Sequence, residues 1–356
     1  MRNIDEQHII HINFEFVEYE ELCDYKKLNQ YVKEKINDNE KYYLFLDEIQ
    51  SVDNFEKVVN SLRASVPNLS IFITSSNSKL LSDELSTGLS GRYVSFNINP
   101  LTYKEYIELS KKDKIDENSF WDCAKWGGLP NRLEFTDEEN IKNYLYNVFD
   151  SIVLRNVVAR LGLKDISLFN LILQYIIDTT GREFSAANII AYLKSENREI
   201  SNETIYNYLD ALCKALIIKK VYRYDIKVKA ILKTLNKYYM TDLGIASIKN
   251  NNFEINKAFA LENIVFNELI ARGYEVYVGK TSKGEVDFIG KRHKETIYIQ
   301  VAYLLADDSV IEREFRVYKY IADNYPKYVI TLDKTDFSRD GIKHLNIIDF
   351  LLTEEL

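Results

Sequence analysis

The run Leu44-Phe45-Leu46-Asp47-Glu48-Ile49-Gln50 sets two adjacent carboxylates at the end of an apolar stretch. At the exit of a buried strand, the first carboxylate can hold Mg²⁺ directly or through water, and the second can polarise a water for attack on a phosphoryl group. Taken alone, the motif fits equally well a strand that simply ends in two solvated acids. A second apolar stretch, Leu69 to Thr74, ends in the polar cluster Ser75-Ser76-Asn77-Ser78, where a hydroxyl or an amide can hydrogen-bond the same water. Arg92 follows Leu89-Ser90-Gly91. Such an arginine can stabilise transition-state charge in a neighbouring subunit, although a lone arginine is more often a surface residue.

A basic segment lies elsewhere. Residues 1 to 60 carry 14 acidic and 7 basic side chains, whereas Lys214 to Lys237 carry 8 basic ones against Asp225 alone. Within it, Lys219, Lys220, Arg223, Lys227 and Lys229 are interleaved with Tyr222 and Tyr224, a pattern suited to duplex phosphates. DNA is therefore the expected partner of this segment, with little base specificity implied. A solvated charged face or a protein-docking module is the bland alternative.

The elements that must position these groups follow from periodicity. HIIHINFEF (His8 to Phe16) alternates like a strand, Glu21 to Ile36 has helical spacing, Tyr42 to Leu46 reads as a buried parallel strand, and a helix runs through Phe55, Val58, Val59 and Leu62. Strand, helix, strand with polar residues gathered at strand ends describes an α/β sheet whose ligands sit at its carboxyl edge. From Leu101 to Arg160 the pattern is helical, broken by Trp126-Gly127-Gly128-Leu129-Pro130. Ser185 and Ser201 can cap two short helices that precede the strand-like IIKKVYRY and KYYMTD, the order of a winged helix-turn-helix. A helix at Leu261 to Arg272 then opens a further α/β region. Its strands are expected at Tyr274 to Val278, Val286 to Ile289, Ile297 to Tyr303 and Tyr328 to Leu332, with a helix at Val310 to Asp323.

Composition sets the outer limits. The chain has 356 residues, 46 Lys plus Arg against 54 Asp plus Glu, and a net charge of −8, which suggests two or three domains. No apolar run approaches a membrane span and no secretory leader is visible, so a soluble, cytoplasmic protein is expected. Cys23, Cys123 and Cys213 are scattered and form no Cys-x-x-Cys pair, and with four histidines they argue against disulfides or zinc.

The ordered set LFLDEIQSV, IFITSSNSKLL, LSGRY, NPLTYKEYIEL, WGGLPN, KYYMTDLGI, LENIVFNELIARGYEVYVGK, GEVDFI, YIQVAY and IEREF resembles a family of prokaryotic AAA-type ATPases. Their C-terminal half carries a winged helix and a restriction-endonuclease-like domain. The resemblance covers nearly the whole chain. It implies a P-loop-type parallel sheet at residues 1–100, a helical lid-like region at 101–160, a winged helix at 161–245 and an endonuclease-like α/β domain at 246–356. It also implies ATP and Mg²⁺ as cofactors, Asp47 and Glu48 as the Walker B pair with Asp47 on the metal, Ser76 or Asn77 as the sensor, and Arg92 as the finger. A finger acting in trans would require a homo-oligomer.

One departure stands out. No G-x-x-x-x-G-K-S/T occurs in the sequence, so the amide cradle and lysine that grip phosphates are not among these residues. The expectation is little or no ATP hydrolysis by this chain, through truncation or loss. In the last domain, Glu262, Asp287 and Gln300 fall in the order of an endonuclease-type metal site, yet Ala302 stands where the activating lysine is expected. Relic carboxylates are favoured over a working nuclease; Lys280 or Lys283 would have to move in.

Overall fold

The computed structural model describes residues 4–75, 89, 92–110, 115–153, 157, 165–179, 181–195, 198, 200–249 and 256–354. The chain divides into two units, Met1–Asn97 and Ile98–Leu356.

In the first unit, β1 (Ile9–Asn13), β2 (Tyr42–Asp47) and β3 (Leu69–Ile73) form a parallel sheet in that order, joined by α1 (Tyr25–Lys35) and α2 (Phe55–Ser65). Asp24 starts α1 by accepting hydrogen bonds from the backbone nitrogens of Lys26 and Lys27. Leu28 and Val32 of α1 and Phe55, Val58, Val59 and Leu62 of α2 bury against Tyr42, Leu44 and Leu46 of β2 in one core. Period-two alternation sends Tyr43, Phe45 and Asp47 to the opposite side. There Phe45 stacks on Phe72 with ring centroids 4.9 Å apart, and Phe72 stays 47% exposed. Thus β2 is parallel, as its apolar run suggests, but among the described residues it is fully buried on one face only.

The second unit opens with α3 (Tyr103–Ser110), α4 (Glu117–Trp126), α5 (Glu138–Ile152), α6 (Ile166–Thr179), α7 (Ala186–Ser195) and α8 (Asn202–Lys214). Strands β4 (Ile218–Asp225) and β5 (Ala230–Met240) follow, then α9 (Leu243–Lys249) and α10 (Lys257–Ala271). The chain ends with β6 (Glu275–Thr281), β7 (Gly284–Arg292), β8 (Glu295–Val301), α11 (Asp308–Arg316), β9 (Lys327–Thr331), β10 (Lys343–Asn346) and α12 (Ile347–Leu352). Ser201 caps α8 through a hydrogen bond from Thr204 N, as its position suggests.

The β4–β5 hairpin, expected as the wing of a separate module, is instead the end of a seven-stranded sheet of order β10-β9-β8-β7-β6-β4-β5. Parallel pairing of Arg223 with Val278 and Tyr224 with Gly279 makes the junction. The inner side of α10 packs Leu261, Val265, Phe266 and Leu269 with Tyr239, Phe288 and Ile299 of the sheet. Each such fully buried aliphatic or aromatic side chain contributes about 1.5–3 kcal/mol by removal from water.

The Trp-Gly-Gly-Leu-Pro turn has a specific anchor. Gly127 adopts φ +75°, and Gly128 N and Gly244 N donate to the two oxygens of buried Asp242 at 2.7 and 2.8 Å. Leu101 N in turn donates to Gly128 O at 2.8 Å. A Cβ on Gly128 would lie 2.4 Å from the Leu101 carbonyl oxygen, so no larger residue fits.

Candidate functional site

Strand β2 delivers Asp47 to the carboxyl edge of the first sheet, where Asn13 of β1 is its register partner. Thr74, just past β3, donates its hydroxyl to Asp47 Oδ1 at 3.0 Å, and His11 Nε2 lies 2.6 Å from Asp47 Oδ2. Three strands thus meet on one carboxylate, whose side chain is 30% exposed. The chain then turns sharply: Glu48 takes φ +55°, a left-handed conformation that is unusual for a non-glycine residue. Glu48 N donates to Thr74 Oγ1 at 3.3 Å, and the Gln50 amide donates to Glu48 Oε2. Asp47 thus brings two hard carboxylate oxygens to the sheet edge, one met by Thr74 and the other by His11.

Ser76 and Asn77 lie outside the described residues. Arg92 is exposed, and its carbonyl oxygen accepts from Arg63 Nη1. His11 is the residue that the sequence reading did not single out. Its signal was the alternation of HIIHINFEF, which puts His11 and Asn13 on the same face as Asp47.

In the second constellation Asp287 meets Gln300 and feels the charge of Glu262. Glu262 on α10 accepts from the Tyr239 hydroxyl at 2.6 Å and meets Lys237 Nζ at 3.5 Å. Asp287 on β7 accepts from Val301 N at 2.9 Å, while its own backbone nitrogen donates to Gln300 Oε1 at 3.3 Å. The Gln300 amide donates to Glu314 at 2.9 Å. Burial, followed by the Glu262 charge, pushes the Asp287 carboxyl up to about 8, against the pull of Lys237. Burial works against the Lys237 ammonium, but Glu262, Asp287 and Glu285 together hold its pKa above the usual lysine value.

The lysine at these carboxylates is therefore neither Lys280, which faces Asp225 at 3.9 Å, nor Lys283, whose ammonium lies 5.7 Å from the Tyr320 ring centroid. It is Lys237, counted from sequence with the basic segment. Alternation along Lys-Tyr-Tyr-Met was the available sign, since it puts Lys237 and Tyr239 on one side of β5. Ala302 has its backbone nitrogen tied to Ile330 O. Among the described residues, no group of three or more His, Cys, Asp or Glu side chains is placed to hold a metal ion.

The basic segment separates into two kinds of residue. Arg223 is buried between Glu183 at 3.0 Å and Glu285 at 2.5 Å. Lys219 is half-buried, donates to Asn99 Oδ1 at 2.7 Å, and is pushed down to about 8 by burial. Lys220, Lys227 and Lys229 are exposed; Lys220 lies over Tyr222 at 4.9 Å, and Asp225 Oδ1 accepts the Lys227 backbone nitrogen in the hairpin turn.

Residues 1–107 match the AAA domain family, and residues 117–254 match a domain of unknown function. The chain is 37% identical to an uncharacterized protein of Haemophilus influenzae, over 99% of this chain and 88% of that protein. It is 33% identical to the uncharacterized protein MJ1544 of Methanocaldococcus jannaschii, over 96% of this chain and 78% of that one. Among solved structures, a Walker-type ATPase of Pyrococcus abyssi aligns with 68% of this chain and 84% of its own at 17% identity and a TM-score of 0.46. No helix among the described residues is long and apolar enough to cross a membrane.

Proposed function

The chain belongs to one family with the two relatives that match 96% or more of its length, its residues 1–107 match the AAA domain family, and from that premise we propose that its first unit carries the metal- and water-handling half of an ATP-hydrolysing site. The observation that carries this reading is the convergence of His11, Asp47 and Thr74 at the carboxyl edge of a parallel sheet. Asp47 and Thr74 would hold Mg²⁺, which when bound neutralises phosphate charge. Glu48, projected by its left-handed turn, would orient the attacking water as general base. Arg92 would supply charge to a neighbouring copy, and Ser76 or Asn77 would sense the γ-phosphate. Phosphate gripping needs a Gly-rich loop that these 356 residues do not contain, so this chain by itself is expected to bind ATP poorly.

The test is Mg²⁺-dependent turnover at millimolar ATP by this chain, wild type against Glu48→Gln. Turnover that Glu48→Gln leaves intact overturns the assignment. Micromolar ATP affinity in this chain by itself overturns the phosphate argument.

A DNA-associated role for the second unit rests on Lys220, Lys227 and Lys229, which share the exposed part of one hairpin. Glu262, Asp287 and Gln300 fit an inert relic better than a nuclease, because Tyr239, Lys237, Val301 N and Glu314 already engage their polar atoms. Mn²⁺-dependent nicking abolished by Asp287→Ala would reverse that preference.

A further inference from the structure

The second unit contains an open-mouthed cleft of about 70 Å³ under the Trp-Gly-Gly-Leu-Pro turn and between α4, the end of β5 and α10. We propose that this cleft binds a small organic acid that carries an apolar side chain and a hydrogen-bond donor next to its carboxylate, the chemistry shared by 2-hydroxy acids and amino acids.

Four features of the cleft point to that class. Its walls include the apolar faces of Tyr103, Phe120 and Leu243, which suit an aliphatic or aromatic body. Lys219 places its ammonium on the lining, and its hydrogen-bond partner there is the neutral amide of Asn99. A half-buried cation paired with a neutral group carries a desolvation cost that an anion would offset. Asn267 Oδ1 and Thr241 Oγ1 are buried with no hydrogen-bond partner, although Asn267 Nδ2 is committed to the carbonyls of Met240 and Thr241. An orphaned amide oxygen accepts and cannot donate, so it calls for an N–H or O–H on the ligand.

The two carboxylates on the lining do not compete for Lys219. Asp242 is committed to Gly128 N and Gly244 N, and Glu268 is paired with Arg272 at 2.7 Å. Those same bonds keep the walls in place without a ligand, so the cleft is formed in advance. The depressed lysine pKa agrees with this geometry, since strongly perturbed groups gather at binding sites.

The test uses the full chain, with calorimetry and thermal melts in four salt-matched probes: 2-hydroxy-4-methylpentanoate, L-leucine, 4-methylpentanoate and 4-methylpentanamide. Saturable binding is expected for the first, the second, or both, which tells hydroxy acid from amino acid. Affinity at least tenfold weaker is expected for 4-methylpentanoate, which lacks the donor, and none for the neutral amide. Lys219→Met should abolish binding while the protein still melts cooperatively, and Thr241→Val should weaken it several-fold. Methyl shifts of Leu243 and Leu351 on titration give a second readout that needs no variant. No saturable binding by any of the three acids, or equal binding by wild type and Lys219→Met, overturns the proposal.

Discussion

The Asp242 carboxylate holds the Gly128 backbone nitrogen at 2.7 Å across 114 residues of sequence, fastening the turn after α4 to the start of α9. Its second oxygen takes Gly244 N, and burial raises the Asp242 pKa although these two N–H groups and Arg132 oppose the rise. Removing the carboxylate strands two buried donors at about 1–3 kcal/mol each. Asp242→Ala should therefore lose about 2–6 kcal/mol. Gly128→Ala should lose at least about 1–3 kcal/mol by forcing Leu101 away. Urea midpoints of the two variants measure both effects, and a Gly128→Ala midpoint equal to wild type would show that the turn has room to yield.

Around Asp47 the expectation is kinetic. On the proposed reading, Glu48→Gln should lower any ATP turnover by about 10²–10⁴-fold with little change in nucleotide affinity, since it removes a proton acceptor and leaves the metal oxygens. Thr74→Val removes a proposed metal oxygen and His11→Ala removes the ring that fixes Asp47, so both should raise the Mg²⁺ concentration needed for turnover without altering the fold. Titrating Mg²⁺ at fixed ATP distinguishes the two kinds of variant.

Lys219 makes a pH prediction opposite to the ordinary surface lysine. Its folded pKa, about 8, lies below its unfolded value of 10.5, so between these pH values the unfolded chain binds more protons and stability rises with pH. Below pH 8 the cost of burying the charge is present in full. Lys219→Met should thus raise stability at pH 7 by about 2 kcal/mol, allowing for the lost Asn99 bond, and the gain should fade toward pH 10.5. Denaturation midpoints of the two proteins at pH 7 and pH 10 check the sign; a variant less stable at pH 7 would refute it.

For the basic hairpin, each of Lys220, Lys227 and Lys229 that meets a phosphate should flatten the slope of log affinity against log salt by about 0.9 when changed to Gln. Arg223 should behave differently. Replacing it leaves Glu183 and Glu285 without their shared cation, so Arg223→Gln is expected to lower the melting temperature rather than change the salt slope. DNA binding measured at several salt concentrations, alongside thermal melts, tells the two groups apart.

Lys237→Met tests the buried cluster. It leaves Glu262 without its cation and should cost about 3–5 kcal/mol. Because the partners are coupled, Lys237→Met with Glu262→Gln should cost less than the two single changes added together. Simple additivity in a denaturation cycle would mean that the 3.5 Å contact carries no interaction.

Local signals were readable because they act over a few residues. The apolar run ending in Asp47-Glu48 is a strand whose last residue reaches the sheet edge, and the helix through Phe55, Val58, Val59 and Leu62 forms where its spacing puts it. Ser201 caps α8 for the same reason: the bond to Thr204 N spans three residues.

What the amino-acid sequence determined by itself was the set of short-range choices: period, cap, strand exit and the segment where positive charge gathers. Only the tertiary structure decided that the basic hairpin joins the C-terminal sheet through Arg223 and Val278, that Lys237 turns inward to Glu262, and that His11 reaches Asp47. These depend on strand register between segments tens of residues apart. A charge is counted the same in sequence whether its strand becomes a solvated edge or a buried partner, and the register decides between the two.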